Sequence, residues 1–183
     1  MKTFEGSIAG VIGLAMWAAQ APPPPSPVVS DFQKRVADYL QVRKSAASAV
    51  SSLKATGSPE KIQEHEQDLA ISIRAARPDA AQGNIFAPAI AAAFRRIIRE
   101  AWSAPGANRI RKSVTDSQPS PLPVLVVNGA YPRQDPVQSM PPSLLKRLPP
   151  LPRELEYRIV GRTLILRDID ANLIVDYLNE ALP

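Results

Sequence analysis

The stretch from Leu155 to Leu178, LEYRIVGRTLILRDIDANLIVDYL, leaves few ways for the chain to fold. Short runs of aliphatic and β-branched residues are interrupted by Gly161-Arg162 and Asp170-Ala171, both suited to tight turns. Gly161 can supply the positive φ that a type II′ turn needs at its first central position. Closing the chain there sets Val160 opposite Thr163, Ile159 opposite Leu164, Arg158 opposite Ile165, Tyr157 opposite Leu166 and Glu156 opposite Arg167. Side chains alternate between faces, so Leu155, Tyr157, Ile159, Leu164 and Leu166 share one face. Arg158, Thr163, Ile165 and the opposite charges of Glu156 and Arg167 share the other. A second turn at Asp170-Ala171 pairs Asp168 with Leu173, Leu166 with Val175 and Leu164 with Tyr177. It adds Leu173, Val175 and Tyr177 to the apolar face and leaves Asp176 on the polar one.

A lone three-stranded sheet is marginal in water, and earlier segments must cover it. Residues 30–118 read as three helices. The first runs from an N-cap at Ser30 to Ala55, with Phe32, Val36, Tyr39, Leu40, Ala47 and Val50 on one stripe. Ser58-Pro59 opens a second, to Arg77, with Ile62, Leu69, Ile73 and Ala76 on one face. The short link makes these two an antiparallel hairpin. Pro88 starts a third, to Trp102, with Ile90, Phe94, Ile97, Ile98 and Ala101 apolar. Residues 103–118 read as loop. Residues 119–152 hold ten prolines and form a connector with one edge strand, Leu122 to Val127, and a helical turn at Ser143 to Leu148. Residues 179–183 are expected to fray. The predicted fold class is α+β: a three-helix N-terminal segment and a C-terminal antiparallel β-meander over 153–183.

Residues 1–21 have the pattern of an export signal: Lys2, an apolar run from Ile8 to Ala19, and a small-x-small site at Ala19-Gln20-Ala21. That run falls short of the roughly 20 residues that span a bilayer. Residues 22–29 read as a stiff proline-rich linker. The expected location is periplasmic or secreted. Anchoring to the inner membrane through an uncleaved N-terminus is the alternative.

The chain has no Cys and one His, which excludes disulfides, thiolate nucleophiles and His-clustered zinc sites. There is no glycine-rich phosphate loop and no nucleophile elbow around a serine. No catalytic residue, metal ligand or cofactor site is assigned. Asp168, Asp170 and Asn172 open like a calcium loop, but Leu173 and Asn179 stand where glycine and a bidentate glutamate belong. A turn held by aspartate side chains is the better reading.

Two charges fall within apolar stripes, Arg43 in the first helix and Glu66 in the second. Folding the hairpin at Gly57-Ser58 brings them within reach, so a structural Arg43–Glu66 ion pair is predicted, with His65 at its rim. The net charge of +5 is local. Arg95, Arg96, Arg99, Arg109, Arg111 and Lys112 stand against one acid, Glu100, in the same segment. They are the candidate contact with an anionic surface. Nucleic acid is disfavoured because no aromatic platform is interleaved with these charges.

The segments ARPDAAQGNIF and LEYRIVGRTLILRDIDANLIVDYL together resemble those of a group of uncharacterised exported bacterial proteins. That group shares the signal, proline spacer, helical segment and closing VGRxLILRDxxANLIVDY motif. The resemblance implies export and a shared fold; it carries no activity, cofactor or catalytic residue. The expected function is that of a non-catalytic envelope protein binding another protein or an anionic surface. The alternative is a small hydrolase or ligand-binding protein with a polar pocket around Arg43, His65 and Glu66.

Overall fold

A computed structural model of the chain describes residues 26–53, 57–116, 122–132 and 140–183. The export segment and the first residues of the proline-rich linker lie outside these. The elements are α1 (Pro27–Ala47), α2 (Pro59–Ala76), α3 (Pro88–Ser103), α4 (Asn108–Asp116), a single turn α5 (Pro142–Leu145), β1 (Leu155–Val160), β2 (Thr163–Asp168) and β3 (Leu173–Leu178). Helices followed by one antiparallel sheet of order β1-β2-β3 make an α+β fold.

The cap of helix α1 lies four residues before the expected one. Ser26 caps it, its side chain accepting from the Val29 amide, and Pro27 occupies the first turn. Residues 27–29, expected in the linker, are therefore helical. The same Ser-Pro device opens α2, where Ser58 accepts from the Lys61 amide. Helix α1 also stops at Ala47, well before Ala55. Ser48 turns its hydroxyl back onto the Ser45 carbonyl, and Ser51 and Ser52 follow, residues whose side chains compete with helical bonding.

The α1–α2 pair is antiparallel. Ser72 Oγ donates to the Ala46 carbonyl at 2.9 Å, while Arg77 lies over the Tyr39 ring at 5.0 Å. Because α1 is short, the N-terminal half of α2 runs past its end. Ile62 is consequently exposed, as is Ala76 at the other end of α2, and Leu69, Ala70 and Ile73 are the buried residues. Helix α3 matches its expected span, with Ile90, Ala91, Phe94, Ile98 and Ala101 buried and Ile97 half-buried. Residues expected as loop after it contain α4, whose Ile110 and Val114, four apart, seal it to the core.

The β1–β2 register is the expected one at every pair from Glu156–Arg167 to Val160–Thr163, and Gly161 takes φ +58° in the turn. Between β2 and β3 the expected pairing holds only at Asp168–Leu173. A bulge then shifts Asp176 opposite Leu166, Tyr177 opposite Ile165 and Leu178 opposite Leu164. Consecutive residues Val175 and Asp176 are both buried, and Tyr177 moves to the opposite face. The apolar face thus carries Leu178 in place of Tyr177, and Asp176 is internal rather than on the polar side.

That face packs on the helices around an aromatic cluster. Phe32 of α1, Phe94 of α3, Phe86 and Tyr157 of β1 have ring centroids 5.0–6.4 Å apart. The Tyr157 hydroxyl reaches the Pro149 carbonyl at 3.0 Å. On the outer face Val160, Ile165 and Ile174 form a smaller cluster with Leu125, Tyr131 and Tyr177. Leu122 to Val127, expected as an edge strand, is not one: residues 122–126 are irregular and Val127 lies in a turn closed by the bond from the Gly129 amide to the Val126 carbonyl. Pairing begins after it, where Asn128 at φ 63° closes a turn, Asn128 and Gly129 bond to Ile174 of β3, and Tyr131 bonds to Asn172 just before that strand. Pro123 lacks a donor, so the ladder starts beyond it. The final residues do not fray: Ala181 and Leu182 are buried and their amides donate to the Arg162 carbonyl.

Candidate functional site

In β2, Asp168 has the same parity as Leu164 and Leu166, so its carboxylate points into the core; it is 0% exposed. Tyr39 and Arg43, one turn apart on α1, meet it there. Asp168 Oδ2 accepts from the Tyr39 hydroxyl at 2.8 Å and from Arg43 Nε at 2.7 Å, and Oδ1 accepts from the Ala171 amide at 3.0 Å. Arg43 also reaches Asp170 at 2.5 Å. This corrects the predicted Arg43–Glu66 pair. Ala46 lies level with Ser72 and Tyr39 with Arg77, so Glu66 sits roughly 12 Å further along the α2 axis at 1.5 Å per residue. Arg43 therefore answers the meander, and the trio Arg43, His65 and Glu66 does not come together. The aspartate-held turn at 168–171 is present.

Burial opposes the Arg43 charge, but the two aspartates outweigh it and its pKa rises. Burial, reinforced by the Asp168 carboxylate and the bond to it, raises the Tyr39 phenol well above the ordinary range. Asp168 has both oxygens engaged by donors and no access to solvent. The arrangement fixes α1 on the meander and offers no free base.

A second buried carboxylate, Asp176, organises the loop between α2 and α3. It accepts from the amides of Gly83 at 2.9 Å, Ile85 at 2.7 Å and Phe86 at 2.8 Å. Around it, Arg77 donates through both terminal nitrogens to the Val175 carbonyl at 3.3 Å. Arg74 donates to the Asn128 carbonyl, whose side-chain amide returns a bond to the Arg77 carbonyl. The two sequence segments that carried the resemblance are thus one structural unit.

The basic residues separate into groups. Arg95 donates to the Asn179 carbonyl at 2.8 Å and Arg162 to that of Leu182 at 3.0 Å. With Arg99 they line a cleft of about 250 Å³ beside Glu180 and the closing residues 181–183. None of these three arginines has an ion-pair partner among the described residues. Arg96 and Arg109 are exposed. Arg111 is held by the Trp102 carbonyl and Asn108, and Lys112 pairs with Asp116 at 2.8 Å. Sequence reasoning missed Arg162, which is remote from the dense basic segment and arrives through the β1–β2 turn.

No described helix is long and apolar enough to cross a membrane. No family model, curated protein or solved structure matches the chain.

Proposed function

We propose that this chain is a non-catalytic exported protein of the cell envelope that binds an acidic partner surface through its basic α3 face. The observation that carries this is the cleft where Arg95, Arg99 and Arg162 converge without ion-pair partners among the described residues. Backbone carbonyls hold Arg95 and Arg162 in place, which reduces the entropy lost when an anion docks. Arg96 and Arg99 extend the charge outward on the exposed side of α3. Phosphate or carboxylate groups fit such a site, because guanidinium forks match both geometrically. The export component rests on the apolar run and small-x-small site of residues 1–21.

The test is retention on heparin and co-sedimentation with vesicles rich in phosphatidylglycerol, both at low ionic strength. Arg96→Ser with Arg99→Ser should lose most retention without changing the melting curve, since neither side chain is buried. Equal retention of that variant, or none for the wild type, refutes the reading. Mass spectrometry of the mature N-terminus tests export separately, with an intact Met1 in the cytosolic fraction as the refuting result.

A further inference from the structure

A different part of the molecule carries an inference independent of the basic face. Arg77, just past the end of α2, has its guanidinium against the Tyr39 ring at 5.0 Å. Its two terminal nitrogens share one neutral acceptor, the Val175 carbonyl, at a long 3.3 Å. A guanidinium has five N–H donors, and two are spent here. No carboxylate lies within ion-pair distance of it among the described residues. Asp176, whose charge acts on it from nearby, is occupied by the amides of the 83–86 loop. Burial disfavours the Arg77 charge and lowers its pKa, with Tyr39 and Asp176 only partly compensating.

Arg77 forms one wall of a cleft of about 230 Å³ that opens to solvent between α1 and the 83–86 loop. Arg35 contributes a second guanidinium, held at the rim by Asp31 and the Asn84 carbonyl. Val42 and Ile85 supply apolar wall. Asp38, also at the rim, is paired with Lys34 at 2.8 Å. A partly desolvated cation with unspent donors beside a small apolar wall is what a carboxylate with a short branched tail requires. The charge-assisted pair is strong, and the volume, below the usual range for drug-sized ligands, limits the tail.

We infer that the cleft bounded by Tyr39, Val42, Arg77 and Ile85 binds the carboxylate of a small ligand with a short branched apolar group. Two sources share that chemistry, a free branched-chain acid and the C-terminus of a peptide ending in an aliphatic residue. The experiment is a titration of the full mature protein followed by ¹H–¹⁵N spectra, reading the Arg77 Nε–H and the Ile85 amide. The probes are 3-methylbutanoate, its neutral amide, and a valine-terminated tripeptide with free or amidated C-terminus. Saturable shifts at both groups with either acid, absent with the matching amide, support the inference and identify the source. Val42→Phe fills the cleft and removes no hydrogen-bonding group. It should weaken binding at least about tenfold while leaving the melting curve in place, the order of effect expected for losing a charge-assisted contact. Equal binding of acid and amide, unchanged binding to Val42→Phe, or no saturable shift with either acid overturns it.

Discussion

Replacing Asp168 by Ala tests the central polar contact. The carboxylate is fully buried and the Arg43 side chain is 13% exposed, so this pair belongs with interior ion pairs. Removing one partner of such a pair costs about 3–5 kcal/mol. The Tyr39 hydroxyl also loses its acceptor in a buried setting, worth about 1–3 kcal/mol. Asp170 retains a hold on Arg43, although at 59% exposure it replaces little of the loss. The balance is a destabilisation of at least about 4 kcal/mol. With a urea slope of about 2 kcal/mol/M, the unfolding midpoint should fall by about 2 M in far-UV circular dichroism. The double-mutant cycle between Arg43 and Asp168 should give a coupling above about 2 kcal/mol. The cycle between Arg43 and Asp170 should stay below about 1 kcal/mol. Combining Tyr39→Phe, Arg43→Met and Asp168→Leu removes all three polar partners together and should return stability to within about 2 kcal/mol of wild type. A midpoint shift below about 0.5 M for Asp168→Ala would refute the reasoning.

Two further outcomes follow from the same interior. Asp176→Ala strips three loop amides of their acceptor and should cost about 3 kcal/mol or more; hydrogen exchange at Ile85 and Phe86 should accelerate, and unchanged protection there contradicts the anchoring role. Burial raises the phenols of Tyr39 and Tyr157 well above their ordinary value. Below about pH 10 both phenols are protonated in the folded and unfolded chain, so pH has no leverage through them. Above it the unfolded phenols ionise first, so stability falls with rising pH, by about 1.4 kcal/mol per unit for each tyrosine. Burial raises the Tyr131 phenol too, so urea titrations at stepped alkaline pH should show the slope reduced, by the share of one tyrosine, in Tyr39→Phe; an unaltered slope counts against it.

The β1–β2 register was legible because one glycine turn and strict alternation determine it together, and nothing tertiary intervenes. The β2–β3 bulge was not, because its cause is remote: Asp176 is drawn inward by amides of a loop some ninety residues earlier. The start of α1 carried a visible signal, since Ser26-Pro27 repeats the Ser58-Pro59 pattern that marked α2. Arg43 stood out correctly as a charge in an apolar stripe. Its partner was also visible, as Asp168 shares the parity of Leu164 and Leu166. Matching those two anomalies to each other, rather than Arg43 to the nearest acid on the neighbouring helix, would have found the contact. Arg77 had no such mark, because its neighbours come from four separated segments.

The bonds that seat the helices on the sheet have consequences for the order in which the chain is made. Tyr39 waits for a partner 129 positions later, and the loop at 83–86 for one about ninety later. During synthesis the helices emerge with their polar groups unanswered, and the last strand completes the structure. A chain interrupted before Asp176 keeps the greater part of its length yet lacks the acceptor that shapes that loop. Ribosome-released fragments ending near residue 170 should therefore be cleared by proteases as readily as unfolded protein.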